Sequence, residues 1–244
     1  MFIANDITII VGGSYDIVHC TLANYHFASV MTQEALRISN NDTINKVAVP
    51  LHKFEIANTV VWGRQFVPDI AIEYVKPAEG DSNFSYRFDH CLLHAEGTDD
   101  NEFIESKWNE DPLFVNIDEK NYTFDFHLQK GSPAINAGVN GSYTAESLDL
   151  DGKPRTDGKI SVGCYEYAAL YVNDETGDDE NDGLSPASAK KTITGAINSR
   201  TEPLPVKVAA GVYDEVEVEA PDGQLSRVVV PADWYIEGAG RGKT

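Results

Sequence analysis

Basic residues are scarce. Only 19 Lys and Arg stand against 39 Asp and Glu, a formal charge of −20 over 244 residues. Nucleic-acid backbones and anionic membrane surfaces both require a basic footprint, so neither is expected as a partner. Long apolar runs are missing too. The longest near the start, Ile7-Thr-Ile-Ile-Val11, falls far short of the roughly 20 residues of a membrane span, and membrane insertion is not expected. MFIANDITII has no basic stretch ahead of its apolar residues, so no signal peptide is read in it. There are three cysteines, Cys20, Cys91 and Cys164, widely spaced and without a CxxC pair. They form neither a metal motif nor a disulfide framework and read as small buried residues. The 3.6-residue apolar period of helices is nearly absent.

Short alternating apolar and polar runs are present, separated by Gly, Asn, Asp and Pro, which is the signature of strands. Three of them align with one another: Tyr15-Asp-Ile-Val-His-Cys-Thr-Leu22, Phe54-Glu-Ile-Ala-Asn-Thr-Val-Val61 and Tyr86-Arg-Phe-Asp-His-Cys-Leu-Leu93. Each reads aromatic, any, aliphatic or Phe, any, His or Asn, Cys or Thr, any, aliphatic. Between them lie two further strands, Leu36-Arg-Ile-Ser39 and Ile70-Ala-Ile-Glu-Tyr74. A repeat of 39 and then 32 residues suits a propeller blade or a β-solenoid. Blades are closed by tight hairpins, and the NG or DG pairs these favour are missing between the aligned strands. The expected fold class is therefore all-β, a parallel β-helix in which coils stack at about 4.8 Å. With two coils per repeat, Cys20 and Cys91 share a column four rungs apart, about 19 Å, too far for a disulfide.

The pattern changes near residue 100. Asp111-Pro-Leu-Phe-Val-Asn116, His127-Leu128, Ser132-Pro-Ala-Ile-Asn-Ala-Gly138, Asp149-Leu-Asp-Gly-Lys-Pro-Arg155 and Val162-Gly-Cys-Tyr-Glu-Tyr167 follow in that order. The set resembles the C-terminal end of bacterial right-handed parallel β-helix repeat proteins of pectin-lyase-like fold, those ending in a choice-of-anchor region. The family usually has Asp where this chain has Ser161. Leu170-Tyr-Val-Asn173, the acidic stretch Gly177–Gly183, Ser185-Pro186 and Lys191-Thr-Ile193 then resemble the opening of such a β-helix, with a short capping helix. The resemblance implies residues 1–168 as the last coils and end cap of one right-handed β-helix. Residues 169–244 are then the cap and first coils of a second. On this reading the chain spans a junction in a longer polypeptide. The alternative is that residues 170–244 complete the first solenoid.

Candidate chemistry is sparse. Asp178, Glu180, Asp182 and Gly183 have the spacing of the first half of a calcium loop, in which alternate oxygens converge on one ion. The closing bidentate Glu is replaced by Ala189, and a plain Asp- and Gly-rich turn is the competing reading. Asp149-Leu-Asp151-Gly152 is a second turn of this kind. Asp16, Glu55 and Arg87 share one outward repeat position. His19, Asn58 and His90 share another, read as a hydrogen-bonded stack beside a turn. Trp62, Tyr74 and Trp108 are candidates for stacking on sugar rings where exposed, and for core positions where not. Polysaccharide lyases of this fold use a basic proton abstractor, often with calcium. Lys53, Arg64 and Arg87 lie near the coils, but in the aligned register none of them falls beside an acidic cluster.

By resemblance, the expected function is a non-catalytic module of an exported, surface-associated bacterial protein that binds polysaccharide or cell-surface glycan. That places it outside the cell or on its surface. The alternative is a carbohydrate-active enzyme, a lyase or glycosidase, with catalytic coils lying partly outside these residues. Calcium is the one cofactor the pattern raises.

Overall fold

The computed structural model describes residues 2–3, 7–9, 12–25, 34–42, 44–45, 47–64, 68–76, 80, 83–140, 148–153, 155, 160–167, 169–201, 204–215, 218–219, 225–232 and 234–240. It divides into two compact units, Met1–Tyr167 and Ala168–Thr244.

The first unit is built from parallel strands that visit three sheets in turn. β1 (Phe2–Ile3), β2 (Ile7–Ile9) and β3 (Gly13–Val18) enter the first, second and third sheet. β4 (Thr21–Asn24) and β5 (Leu36–Ser39) begin the second circuit. It continues past a small antiparallel pair, β6 (Asn41–Asp42) and β7 (Val47–Ala48), to β8 (Leu51–Ala57). β9 (Val60–Gly63), β10 (Ile70–Glu73) and β11 (Phe84–Asp89) make the third circuit. β12 (Leu92–Leu93), β13 (Phe103–Ile104) and β14 (Lys107–Trp108) return only to the first and third sheets. The three sheets run β1-β4-β9-β12-β14, β10-β5-β2 and β13-β11-β8-β3.

Register follows the aromatic pattern. Tyr15 lies opposite Phe54 and Phe54 opposite Tyr86. Ile17, Ile56, Phe88 and Phe103 form the next inward column. Each aligned repeat is thus one circuit, not two. Cys20 and Cys91 are two rungs apart, about 10 Å, with Thr59 between them. All three cysteines are free, and burial pushes the Cys91 thiol up to about 12.

A shared device turns the chain out of the third sheet. His19, Asn58, His90 and Glu105 adopt left-handed φ of 54°, 48°, 51° and 44°. The residue after each is a small thiol or alcohol that donates to the carbonyl two positions back. These bonds are Cys20 Sγ to Val18 O (3.3 Å), Thr59 Oγ1 to Ala57 O (2.8 Å), Cys91 Sγ to Asp89 O (3.5 Å) and Ser106 Oγ to Ile104 O (3.3 Å). The His/Asn-Cys/Thr signature is therefore a bend. It satisfies a carbonyl that the ladder abandons there.

In the first sheet β4, β9 and β12 are buried on both faces. Leu22, Val61 and Leu93 pack inward with Ile38, Phe54, Ile56 and Phe88. Ala23, Val60, Trp62 and Leu92 point outward, as the two-residue period requires. They are covered by Phe114, Phe126, Leu128, Ala134 and Val162. The cover is an antiparallel hairpin, β15 (Phe114–Asp118) with β16 (Thr123–Leu128), together with Ala134 and Val162. Gly138 passes so close to Asn58 and Ile160 that a Cβ there would lie 2.9 Å from each. The Asn58 amide brackets Val139, donating to its carbonyl at 2.9 Å and accepting from its N–H at 2.8 Å.

In the second unit β17 (Leu170–Val172), β18 (Pro205–Val208) and β21 (Tyr235–Gly238) form a parallel sheet. The unit also holds a short helix α1 (Ile193–Asn198) and a small antiparallel pair, β19 (Val218–Glu219) with β20 (Leu225–Ser226). Leu170, Val172, Val206 and Ile197 form its core. α1 begins at Thr192, whose hydroxyl accepts from Gly195 N–H at 2.8 Å.

Candidate functional site

The third sheet turns its inward column of Ile17, Ile56 and Phe88 to the core, so Asp16, Glu55 and Arg87 project outward in one column. Lys53, one residue before the aligned segment, stands among them. Its ammonium donates to Asp16 Oδ1 at 2.5 Å and pairs with Glu55 Oε2 at 2.8 Å. Hydrogen bonds to Asp16 and then Glu55 raise the Lys53 pKa. Arg87 is held by Asp89 at 2.8 Å. The expectation that no cation lies beside these carboxylates is corrected. The ladder shifts register between Ser14 and Gly13, and Lys53 there falls opposite Ser14, next to Asp16. Asp16 and Glu55 occupy adjacent rungs, about 4.8 Å apart, rather than alternate ones.

His90 lies at the edge of this face. Its ring nitrogens approach Asp89 Oδ1 at 2.6 Å and Glu105 Oε2 at 3.1 Å. The outward face thus pairs cations with carboxylates within and between its rungs, and so offers both donors and acceptors.

The three aromatic candidates are not gathered into one surface. Trp62 is buried under the hairpin, its ring stacked on His94 at 4.4 Å. Trp108 packs on Phe103 at 4.9 Å, and its indole N–H donates to Asp99 Oδ1 at 3.1 Å. Gly97 lies flat against it, since a Cβ there would fall 2.2 Å from the ring. Tyr74 alone presents its ring, 47% exposed and tilted against Phe84 at 5.3 Å.

The acidic loop of the second unit folds as successive Asx turns. Asp178 Oδ1 accepts from Glu180 N–H at 3.0 Å. Asp182 Oδ1 accepts from Leu184 N–H at 2.9 Å and from the Ser188 hydroxyl at 2.7 Å. Those bonds hold Asp182 below the usual carboxylate range. Asp179, between them, accepts from Lys191 N–H, Thr192 N–H and the Thr192 hydroxyl. Asp178, Glu180 and Asp182 are not brought to one point. Among the described residues no group of three His, Cys, Asp or Glu is placed to hold a metal ion.

Two polar clusters escaped sequence reasoning because their members follow no regular spacing. Arg155, with its side chain only 3% exposed, donates to Ser161 O at 3.3 Å, Gly163 O at 2.9 Å and Glu166 Oε2 at 3.2 Å. Glu166 accepts from Ser161 N–H and hydroxyl at 2.8 and 2.6 Å, while its own N–H donates to Asp149 Oδ2 at 2.8 Å. Ser161 Oγ also accepts from Tyr167 N–H at 3.2 Å, so the serine still caps this turn. The second cluster centres on His127. Its Nδ1 meets Asp125 at 2.5 Å, its Nε2 meets Asp151 at 2.8 Å, and its ring stacks on Tyr165 at 3.9 Å. Lys153 pairs with the same Asp151 at 3.2 Å.

Burial disfavours the His127 charge, but the bonds to Asp151 and Asp125 outweigh it and raise the pKa above 6.5. His127 in turn holds Asp151 below the usual range. A histidine raised on folding contributes stability below its unfolded pKa and loses it as pH rises through the folded one. A lowered aspartate contributes above its unfolded pKa and loses it in acid. The cluster is therefore expected to stabilise most between about pH 4 and 6.5. Melting of wild type against His127→Gln should differ by up to about 1 kcal/mol in that window and converge near pH 9.

The chain matches no family model, no curated protein and no solved structure.

Proposed function

We propose that the first unit belongs to a right-handed parallel β-helix of pectin-lyase-like architecture, and that the chain is a non-catalytic glycan-binding module of an exported, surface-associated bacterial protein. The ordered return of strands to the same three sheets, in register, supports the solenoid. Parallel crossovers within a sheet are nearly always right-handed, which supports the hand. The surface location rests on resemblance to the family.

One observation carries the non-catalytic reading. A lyase needs a basic residue poised to abstract a proton, its pKa brought down towards working pH. Lys53, the lysine of the outward face, is bridged by two carboxylates that raise its pKa instead. A Lys kept protonated donates hydrogen bonds and does not abstract protons. Together with Arg87 and the carboxylates of Asp16 and Glu55 it offers both donors and acceptors to a polymer of hydroxyl groups. Tyr74 adds an exposed ring face.

The enzyme alternative draws on one feature. Asp16 and Glu55 stand on adjacent rungs, whose spacing of about 4.8 Å is close to the roughly 5–5.5 Å of a retaining glycosidase pair. Incubation with a panel of neutral and uronate polysaccharides separates the two readings. Retention in affinity gels without new reducing ends or unsaturated products is expected. Lys53→Ala should weaken retention about tenfold at unchanged melting temperature. Cleavage of any member, lost in Glu55→Gln, would favour the enzyme.

A further inference from the structure

We infer that the open edge of β10 is a docking site for an extended segment of a partner protein that alternates apolar and basic residues. The three parallel sheets of the first unit are unequal, with five, four and three strands. The shortfall in the second sheet has a visible origin. On its last passage the chain leaves the first sheet at Leu93 and enters the third at Phe103, with only residues 94–102 between. Pairing beyond β10 opens with one bond, Asp69 N–H to His94 O at 2.9 Å, and among the described residues no strand continues it. β10 is paired with β5 on its other side alone. Its outer edge is then a template for one more strand.

A pocket of about 410 Å³ lies beside that edge. Its apolar wall is Ile70 and Ile72 of β10 with Phe103 and Trp108, and Glu96 and Asp100 stand among its polar lining residues. Ile70 and Ile72 share one face of β10, and Ala71 and Glu73 share the other. A strand laid along this edge places alternate side chains over the pocket and the rest beside Glu73. An apolar residue suits the first set. Glu73, which Arg37 meets at 3.7 Å, borders the second set, and Glu96 and Asp100 add negative charge at the pocket rim of a chain of charge −20, so Lys or Arg suits the second set. The same charges oppose pairing of this edge with a second copy of itself. The site lies on the second sheet, whereas Lys53, Arg87, Asp16 and Glu55 lie on the third, so each reading stands or falls without the other.

The test is fluorescence anisotropy with a labelled peptide of about eight residues alternating Val and Lys. A Val/Glu peptide and a block-ordered Val/Lys peptide of the same composition serve as counterparts. Saturable binding of the alternating Val/Lys peptide alone is expected. It should weaken at least about tenfold in Ile72→Lys, with a cooperative melt showing that the variant folds. Glu96→Lys, at an exposed position, should weaken it several-fold without disturbing the fold. The inference is overturned by no binding of the Val/Lys peptide to wild type up to about 1 mM. Equal binding of either counterpart, or dimerisation of the protein that Ile72→Lys abolishes, overturns it as well.

Discussion

Arg155→Ala should destabilise the first unit by about 3–5 kcal/mol, because it leaves the Glu166 carboxylate buried without its cation. Burial already lifts Glu166 above the usual carboxylate range, against the pull of Ser161 and Arg155. Without Arg155 the lift grows. Its sign sets the pH dependence. A carboxylate whose folded pKa is raised costs nothing while protonated in both states, and costs more as pH climbs through the unfolded value near 4.3. The gap between wild type and variant in urea midpoint should therefore be widest at pH 7 and shrink towards pH 4. Part of it remains in acid, since the carbonyls of Ser161 and Gly163 also lose a donor. Arg155→Met/Glu166→Gln should recover part of the loss, as a double-mutant cycle would register. A gap that is the same at both pH values would mean that Arg155 acts through packing alone.

The second large effect belongs to the stacked core. Phe88 is fully buried between neighbouring circuits, its ring 4.6 Å from Phe103 and 6.2 Å from Phe54. Its neighbours are fixed by backbone ladders on both sides, so the structure cannot collapse into the space a truncation leaves. Phe88→Ala should cost about 3–5 kcal/mol, against a typical domain stability of about 5–15 kcal/mol. A lower urea midpoint with an unchanged m-value is the expected reading. Truncation of Tyr74, exposed on one side, should cost far less. An equal loss at both positions would contradict the division into core and surface drawn here.

Much of this architecture can be read from residues alone. The aromatic-x-aliphatic alternation set the register of Tyr15, Phe54 and Tyr86, and the strands at Leu36 and Ile70 were visible as a second set. The number of circuits per repeat was not. Repeats of 39 and 32 residues suggested two circuits each, while the length lies in connections that carry no periodic pattern. The last circuit was also hidden. Phe103 follows Phe88 after only 15 residues, and Glu105 and Ser106 replace the His/Asn and Cys/Thr of the signature.

The site was less legible, for physical reasons. Whether Trp62 is exposed depends on a hairpin more than fifty residues away that covers the first sheet, and no local pattern reports that. Lys53 fell just outside the aligned segment, and a one-residue irregularity in the ladder carries it to Asp16. The spacing of Asp178, Glu180 and Asp182 was real. The backbone spends Asp178 Oδ1 and Asp182 Oδ1 on its own N–H groups, a choice that spacing alone does not reveal.

The defining feature of the first unit is one circuit per repeat, stacked in register through three parallel sheets. The most direct test is a cysteine pair, Asp16→Cys/Glu55→Cys, oxidised mildly and mapped by non-reducing peptide mass spectrometry. Adjacent rungs put these Cα atoms about 4.8 Å apart, inside the roughly 4.4–6.8 Å that a disulfide spans. Asp16→Cys/Arg87→Cys, at about 10 Å, lies outside it. A rapid cross-link in the first pair and none in the second is expected. Failure of the first pair to cross-link in a folded protein would contradict the stacking.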